Sequence, residues 1–294
     1  MDNLRGILLV IAAMVMFTIE DSFIKGLSTV FPVGQILIVL GLGGASVFAV
    51  IAYIKRQPLV GPQVFSKMLF WRSLGETGSA FFFVTALWLV PLSVAAALLQ
   101  TTSLIVTIGA AFLLGETVGW RRWSAIFIGL IGVLVIIRPG FEGFEPAALL
   151  AVAAAVLLAG RDLATRRLPT GTPSVAVSFW GFFAVIPAGI ILSVFLGSPI
   201  MPTLPQTGLF VACVVFGTVG YYLIVTAMRM GEASVLAPFR YTRLVFSIIL
   251  GYFFFNEIPD FWTMIGAAII LSSGIYVILR ERRVLESRVP PEDA

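Results

Sequence analysis

Residues 6–21 read GILLVIAAMVMFTIED and residues 147–162 read AALLAVAAAVLLAGRD, so two apolar runs each end in a pair of charged residues. The two stretches lie 141 residues apart, which is the separation of Asp21 and Asp162. The same shift matches further residues of the two halves in one register. The matched pairs are Ala12 and Ala153, Ala13 and Ala154, Pro32 and Pro173, Pro58 and Pro199, Ala86 and Ala227, Ser93 and Ser234, Thr101 and Thr242, and Glu116 and Glu257. A single register kept over so long a stretch indicates an internal repeat.

The composition is that of a membrane protein. Of the 294 residues, 59% are hydrophobic and 12% are charged, and the mean hydropathy is +1.05. The apolar runs reach or approach the roughly 20 residues that an α-helix needs to cross about 30 Å of hydrocarbon, so we expect helical spans in a lipid bilayer. The net charge of +4 comes from basic residues in short loops, which predicts no nucleic-acid partner.

Turn residues and charges divide the chain into ten predicted spans. The spans are residues 5–26, 32–54, 67–89, 91–114, 120–138, 146–166, 174–196, 207–229, 232–254 and 261–280. Each half holds five helices, an odd number, so the second copy must enter the membrane from the opposite side. The sequence therefore predicts an all-α integral membrane protein with ten transmembrane helices in two inverted five-helix repeats. The predicted domains are a first repeat over 1–140, a second repeat over 141–283 and a disordered cytoplasmic tail over 284–294.

Lysine and arginine are divided unevenly between the two sides of the predicted bundle. Thirteen lie on the side of the N-terminus, and only Lys25 and Arg138 lie on the other side. The thirteen are Arg5, Lys55, Arg56, Lys67, Arg121, Arg122, Arg166, Arg167, Arg229, Arg280, Arg282, Arg283 and Arg288. Because cytoplasmic loops carry the excess of basic residues, both termini are predicted to lie in the cytoplasm, in a multi-pass protein of a bacterial-type inner (plasma) membrane.

The sequence offers little for catalysis or metal binding. Histidine is absent, and the single cysteine, Cys213, lies in an apolar run and cannot form an internal disulfide. We therefore expect no metal, no cofactor and no catalytic residues. An integral-membrane transferase, the alternative from another class, would need a nucleophile–base pair, a metal cluster or paired aspartates at the membrane surface, and none is evident. A passive channel is a third alternative.

Eight charged residues remain inside or at the edges of the predicted spans. They are Glu20, Asp21, Arg72, Glu76, Arg161, Asp162, Arg240 and Arg243. A charge at the bilayer centre costs about 2.5–3.5 kcal/mol on insertion scales, so these side chains are expected to face the bundle interior, water or one another. Arg72 and Glu76 are four residues apart on one helix, which predicts an intrahelical ion pair.

Arg240 and Arg243 are the leading candidates for ligand binding. Their spacing of three places both on one helix face, and Pro238 disturbs the helix just before them. The matching residues of the first half, Leu99 and Thr102, are uncharged, so the arginines break the repeat. A pair of guanidinium groups suits a carboxylate or a phosphate, because arginine offers paired donors and keeps its proton. The alternative is that both arginines only neutralise acids and hold helices together.

Three uncharged residues complete the predicted binding site. Tyr241 lies between the two arginines, and Gln100 is its counterpart under the shift. A polar amide midway down the fourth span needs a partner inside the bundle. Trp180, within Ser178-Phe179-Trp180-Gly181, is also predicted to approach the cavity, whereas Tyr221 fits an aromatic belt at the membrane interface.

Two pairs of adjacent charged residues are predicted to act as gates. Asp21 and Asp162 occupy matching positions on the first helix of each half, so in opposed orientations they lie toward opposite faces of the membrane. Each is predicted to clamp a neighbouring helix in one conformational state. Glu20 and Arg161, beside them, point to a different helical face. Proton carriage by Glu20 or Asp21 is an alternative role.

A family resemblance rests on four short segments. The first half reads LVPLSVAA over 89–96 and LGET over 114–117, and the second half reads MGEASV over 230–235 and FNEI over 255–258. These segments resemble the signature of the drug/metabolite transporter superfamily, in its EamA-type branch. The resemblance covers nearly the whole chain and implies a ten-helix secondary transporter with a central cavity lined by the first, third, fourth, sixth, eighth and ninth helices.

The predicted function is alternating-access transport of a small organic metabolite. The buried arginines favour an anionic or zwitterionic substrate that is amino-acid-like or amino-acid-derived, S-adenosylmethionine-type compounds included. Carriers of nucleosides, vitamins or organic acids are the alternatives within the family. No ATP-binding loop is evident, so transport is expected to be secondary, and the direction and the driving gradient stay open. A monomer and a homodimer are both compatible with the sequence.

We expect an epitope tag after residue 294 to be reached by antibody only in permeabilised cells, because the distribution of basic residues places the C-terminus in the cytoplasm. A tag inserted in the connection at 139–145, which is predicted to be external, is the control and should be reached in intact cells. Labelling of the C-terminal tag in intact cells would contradict the predicted orientation.

Overall fold

All regular structure in the described residues is helical. The structure, a computed structural model, describes residues 2–62, 64–113, 119–138, 145–169, 171–197, 199–230 and 237–286. The helices are α1 (Asp2–Leu27), α2 (Val33–Ile54), α3 (Lys67–Leu89), α4 (Leu92–Leu99), α5 (Thr102–Leu113), α6 (Trp120–Ile137), α7 (Ala148–Arg166), α8 (Ser174–Leu196), α9 (Leu204–Met230), a 3-10 helix (Ala237–Tyr241), α10 (Thr242–Phe255) and α11 (Phe261–Glu286). Glu116, the segment 231–235 and the end of the predicted tail, 287–294, lie outside the described residues.

Several helices are long and apolar enough to cross a membrane. Within the described ranges there are six such stretches, and α4 and α5 together make one of them. They are Leu4–Leu27, Val33–Ile54, Leu92–Leu113, Ala148–Thr165, Ser174–Leu196 and Leu204–Ile224. Shorter apolar helices cover Trp123–Ile137 and Phe261–Tyr276. The bounds of α3 and α8 coincide with the predicted spans 67–89 and 174–196.

The packing of the helices follows the 141-residue shift found in the sequence. The shift takes α1 to α7 and α3 to α9, and α1 packs against α9 just as α7 packs against α3. In the same way α1 contacts α10, and α7 contacts α5. Two further large contacts, α2 with α8 and α6 with α11, each join a helix to its own counterpart. Matching sequences therefore make matching contacts in the two halves.

Glycines bring α2 and α8 into direct backbone contact. A Cβ atom added at Gly34 would lie 2.5 Å from the carbonyl oxygen of Gly189, and one added at Gly189 would lie 2.7 Å from the carbonyl oxygen of Gly34. Further along α2, Gly44 packs against the ring of Phe182. Small residues at helix contacts are the usual solution in membranes, where close packing replaces the hydrophobic effect. The α2–α8 contact is therefore built on glycine.

Glu257 ties together one end of the helical bundle. Its Oε1 lies 2.9 Å from Nζ of Lys25 at the end of α1, and its Oε2 accepts a hydrogen bond from the backbone N–H of Leu92 at 2.7 Å. Lys25 Nζ also donates to the carbonyl oxygens of Leu87 and Val90, at 3.2 and 2.7 Å. The carboxylate thus accepts a hydrogen bond from an N–H group at the first turn of α4, and its negative charge is stabilised by the positive end of the helix dipole. One acid joins α1, the α3–α4 connection and the segment after α10.

Asp260 makes a second ionic contact at the same end of the bundle. Its Oδ2 lies 2.7 Å from Nη1 of Arg138, and its Oδ1 accepts a hydrogen bond from the backbone N–H of Thr263 at 3.0 Å in the first turn of α11. Partial desolvation raises the pKa of Asp260, but the hydrogen bonds from Thr263 and the charge of Arg138 outweigh it and hold the pKa below its usual value. The ionised carboxylate therefore caps α11.

We expect Gly34→Ala to lower the apparent Tm of the purified protein in detergent, because the new methyl group would collide with backbone atoms of α8 that cannot move aside. Overpacking of this kind costs about 1–3 kcal/mol. Gly160→Ala in α7 is the matched control, since nothing lies within 4 Å of a Cβ atom at that position and alanine is the better helix former. Equal apparent Tm values for the two variants would contradict the α2–α8 contact.

Candidate functional site

The regular α-helical pattern is interrupted at matching positions in the two halves. The first interruption lies between α4, which ends at Leu99, and α5, which begins at Thr102. The second lies between the 3-10 helix and α10, which begins at Thr242. The shift of 141 residues takes Thr101 to Thr242, so both interruptions fall at the same point of the repeat. The sequence predicted a disturbance only in the second half, before the two arginines.

A threonine hydroxyl bonds to the backbone at each interruption. Thr101 Oγ1 donates to the carbonyl oxygen of Leu98 at 2.6 Å, and Thr242 Oγ1 donates to the carbonyl oxygen of Phe239 at 2.6 Å. Each bond spans three residues, and the two bonds are equivalent under the shift. Side-chain bonds of this type offer the backbone an alternative to the regular helical pattern. The two halves therefore share a local structure as well as a sequence pattern.

The two interruptions meet at Gln100. Its Nε2 donates to the carbonyl oxygen of Arg240 at 3.3 Å, so the first half contacts the second at this point. Arg240 is half-buried and forms no ion pair with any residue that the structure describes. Tyr241 is buried, and its ring packs against Gly274 of α11. Of the predicted binding residues, Gln100 and Arg240 are thus brought into contact, while Tyr241 packs toward α11.

Arg243 forms an ion pair with Asp21. Its Nη2 and Nε lie 2.6 and 3.1 Å from Oδ2 of Asp21, which joins α10 to α1. The Asp21 side chain is only 4% exposed and the Arg243 side chain 17%. The guanidinium group also lies over two rings, at 5.4 Å from the centroid of Phe17 and 5.6 Å from that of Phe83. Such cation–π contacts favour the ionised arginine in an apolar setting.

Glu20 lies beside Asp21 but faces a different helix. The residue is 8% exposed, and its carboxylate packs against Gly217 of α9. Within the described part of the chain it makes no hydrogen bond and no ion pair. The two adjacent acids therefore face different helices, Glu20 toward α9 and Asp21 toward α10. Asp21 is neutralised by an arginine, whereas Glu20 is not.

A second ionic cluster joins α7, α3 and α9. Arg161 Nη1 lies 3.3 Å from Oε2 of Glu76, and Arg161 Nε lies 3.1 Å from Oδ1 of Asp162. Oε2 of Glu76 is also 3.4 Å from Nη2 of Arg72, the pair predicted on one helix. Arg72 is 1% exposed, and its Nη2 donates to the hydroxyl of Tyr221 at 2.6 Å. Two arginines and two acids therefore balance one another in this cluster.

The structure places Trp180 away from the arginines. Its Nε1 donates to the carbonyl oxygen of Leu59 at 2.8 Å, and its ring meets that of Phe65 at 5.2 Å between centroids. It packs against a small apolar cluster that contains Val64 and Leu69. Trp180 therefore anchors the α2–α3 connection against α8 and is not brought together with Arg240 or Arg243.

Sequence reasoning missed two polar partners. The sequence predicts Tyr221 in an interface belt, yet its hydroxyl accepts a hydrogen bond from the buried Arg72. The sequence places Lys25 among the basic residues that report orientation, yet it pairs with Glu257. Tyrosines at the ends and centres of spans look alike in a single sequence. The scarcity of basic residues on the side of Lys25 was the one signal that set this lysine apart.

A cavity of about 230 Å³ lies at the end of the bundle that Glu257 ties together. Its lining includes Ser93, Arg138, Glu145, Asp260 and Thr263. None of the predicted binding residues lines it. In the ranges that the structure describes, no three Asp, Glu, His or Cys side chains lie close enough to share a metal ion.

The chain resembles several transporters of known name. It is 29% identical over 217 residues to an S-adenosylmethionine uptake transporter of Rickettsia bellii. This match covers 72% of this chain and 74% of that protein. It is 28% identical over 281 residues to a riboflavin transporter of Vibrio cholerae, covering 93% of each chain. It is 25% identical over 273 residues to the pseudopaline exporter CntI of Pseudomonas aeruginosa, covering 92% of this chain and 94% of that protein.

The fold and the family follow from two further comparisons. A solved crystal structure that is 22% identical superposes with a TM-score of 0.61 over 93% of this chain and 98% of that one, so the two share a fold. A family model described as the EamA-like transporter family matches residues 4–138 and again residues 145–280. Two successive matches of one family model thus cover nearly the whole of this multi-pass membrane protein, and the chain belongs to the EamA-like transporter family.

Proposed function

We propose that this protein is a secondary transporter that moves a small organic metabolite by alternating access between two inverted halves. The observation that carries the proposal is the meeting of two interrupted helices, one from each half, at Gln100 and Arg240. Interrupted helices near the membrane centre are typical of transporter binding sites, because the freed backbone groups and helix ends can bind polar parts of a substrate.

The proposed topology has ten spans. In it, α4 and α5 form a single span, and the 3-10 helix and α10 form another, so each half contributes five. The matching helix contacts of the two halves support this arrangement. Five spans in each half would orient the copies in opposite directions, so that one structural plan serves an inward-open and an outward-open state. The repeats would extend over 1–140 and 141–283, with 284–294 as a cytoplasmic tail.

The proposed substrate carries a carboxylate and is amino-acid-like or amino-acid-derived. Arg240 is half-buried and forms no ion pair with a described residue, and its backbone carbonyl accepts a hydrogen bond from Gln100. A guanidinium group binds a carboxylate through two parallel hydrogen bonds. Arg243, one turn further on, is held by Asp21 and could exchange this partner for the substrate. S-adenosylmethionine, the substrate in the name of one relative, carries such a carboxylate on an amino-acid group.

The ion pairs suggest how the two halves hold one state. Asp21 with Arg243 joins α1 to α10, and Arg161 with Glu76 joins α7 to α3. A carboxylate that binds Arg243 would release Asp21 and with it the α1–α10 contact. Ligand binding would thus favour the state in which this contact is open, since a ligand shifts an equilibrium only through its different affinity for the two states.

A flat aromatic vitamin is the second candidate substrate. Phe17 and Phe83 lie close to Arg243 and could stack on a ring system. The riboflavin transporter of Vibrio cholerae aligns over nearly the whole chain, which keeps this class in consideration. Such a substrate would depend on the rings more than on Arg240.

A ligand screen tests the proposed function. Purified protein is heated with amino acids, nucleosides, vitamins, S-adenosylmethionine and organic acids, and a compound that binds the folded state raises the apparent Tm. Compounds that score are then tested for saturable uptake into proteoliposomes. Saturable uptake of a carboxylate-bearing metabolite is the expected result. Conductance without saturation would indicate a channel and would contradict the proposal.

We expect Arg240→Gln to weaken binding of a carboxylate ligand about tenfold or more, because a hydrogen bond to a charged group contributes about 1.5–3 kcal/mol. Arg240→Lys keeps the charge but loses the paired donors and should fall between this variant and wild type. Arg5→Gln, at an exposed position near the start of α1, is the control. The measurement is a titration of the apparent Tm or of uptake against ligand concentration. Unchanged affinity in both Arg240 variants would remove this residue from the site.

We expect Asp21→Asn to lower the apparent Tm and to strengthen carboxylate binding, because it leaves Arg243 without its counter-charge. Removal of one partner from a buried ion pair costs about 3–5 kcal/mol. Asp162→Asn is the matched control from the other half, and its effect should be smaller because Arg161 keeps Glu76 as a second acid. Weaker carboxylate binding by Asp21→Asn would show that the substrate does not compete with Asp21.

A further inference from the structure

Glu20 is a buried acid in the contact between α1 and α9. We propose that Glu20 binds and releases the proton whose gradient drives transport. The inference rests on the transporter function proposed above and adds its driving force. Four features of the structure carry it: the packing of the carboxylate, its lack of a partner, the charges around it and the contrast with the matching contact of the other half.

The carboxylate is packed too closely for any ligand larger than a proton. A Cβ atom at position 217 would overlap the carboxylate of Glu20, so the acid lies directly on the backbone of α9. The next turn of α9 also packs closely against α1, because a Cβ atom at Gly220 would lie 3.1 Å from Met16 and Phe17. An organic cation has no room between these helices, whereas a proton needs none.

The matching contact in the other half is neutralised by an ion pair. The shift of 141 residues takes Glu20 to Arg161 and Glu76 to Gly217. Arg161 and Glu76 lie 3.3 Å apart between α7 and α3. In the α1–α9 contact a glycine stands where the partner would be, and Glu20 makes no ion pair with any described residue. The repeat thus provides an internal comparison, in which only Glu20 lacks its counter-charge.

The charges near Glu20 do not balance. On α1 its neighbour is Asp21, and among the described side chains the cation that interacts with it is Arg243 of α10, which Asp21 already binds. From α9 the titratable group is the thiol of Cys213, which is neutral in its protonated form. Other described charged groups on helices that pack against α1 have their own surroundings. Arg72 and Glu76 on α3 pair with each other and with Tyr221 and Arg161, Lys67 at the start of α3 is exposed, and Arg240 lies on the 3-10 helix.

Two acids therefore share one arginine in a site that is almost closed to water. A buried carboxylate without a partner costs several kcal/mol when it is ionised, and a bound proton removes that cost. In the packed state Glu20 is accordingly neutral. If the α1–α9 contact opens, water reaches the carboxylate and stabilises the ionised form, so the proton leaves. Because α1 and α9 belong to different halves in the proposed topology, movement of the halves would open and close this contact.

An infrared titration of the purified full-length protein in lipid tests the site without any substrate. A protonated carboxyl group has a C=O stretching band that disappears on ionisation. We expect wild type to show such a band, lost as the pH rises, and Glu20→Gln to lack it. Glu145→Gln, which removes an exposed acid outside the proposed site, should keep the band. A wild-type protein without the band, or a band that persists in Glu20→Gln, would overturn the proposal.

Transport measurements test the coupling. Proteoliposomes are first equilibrated with a compound found by the ligand screen, and a pH gradient is then imposed. Wild type should move the compound against its own concentration gradient. Glu20→Gln should only equilibrate it, with accumulation lost and binding of the compound retained. Saturable wild-type uptake that ignores the pH gradient would overturn the proton site and leave the transporter function intact. If no compound is transported, the proposed function fails, and the infrared titration still decides the protonation of Glu20.

Discussion

An ionised side chain inside a bilayer needs a counter-charge or water, and this requirement fixes which helices of the protein meet. Asp21 is almost fully buried and holds Arg243, which fastens the first helix to α10. Glu257 holds Lys25 and the first N–H of α4, which closes one end of the bundle. Because an unpaired charge costs more than any single apolar contact gains, these pairs restrict the rotation and depth of the helices that carry them.

Apolar packing then works within the limits that the charges set. In lipid, helices gain little from burying leucine against leucine, so close approach depends on small residues. Gly34 and Gly189 allow the backbones of α2 and α8 to touch, and this contact joins each helix to its own counterpart. The interruptions at Thr101 and Thr242 follow a related logic, since a side-chain hydroxyl bonds to the backbone where the regular helix pattern stops. The same local hydrogen bond therefore occurs in both halves, at the threonine that the repeat shares.

The sequence predicted the bounds of two helices and the Arg72–Glu76 pair, but not the partners of the other polar residues. Hydrophobic length defines a span, so α3 and α8 coincide with the predicted ranges. The direction that a side chain faces depends on helix rotation, and a helix that is apolar all round gives no signal for rotation. Arg243 therefore had several candidate acids, and only the structure selects Asp21. Trp180 and Tyr221 both differ from expectation for the same reason, since aromatic residues suit a cavity, a belt and a core alike.

Departures from the repeat mark the residues that we propose to bind a substrate or a proton. Where the two halves agree, as at Thr101 and Thr242, the residue holds the backbone in the same way twice. Arg240 breaks this agreement, because its counterpart under the shift is the uncharged Leu99. Glu20 breaks it again by facing a glycine where the other half has an ion pair. A charge that the fold does not require, in a membrane where charge is costly, is best explained by what it binds.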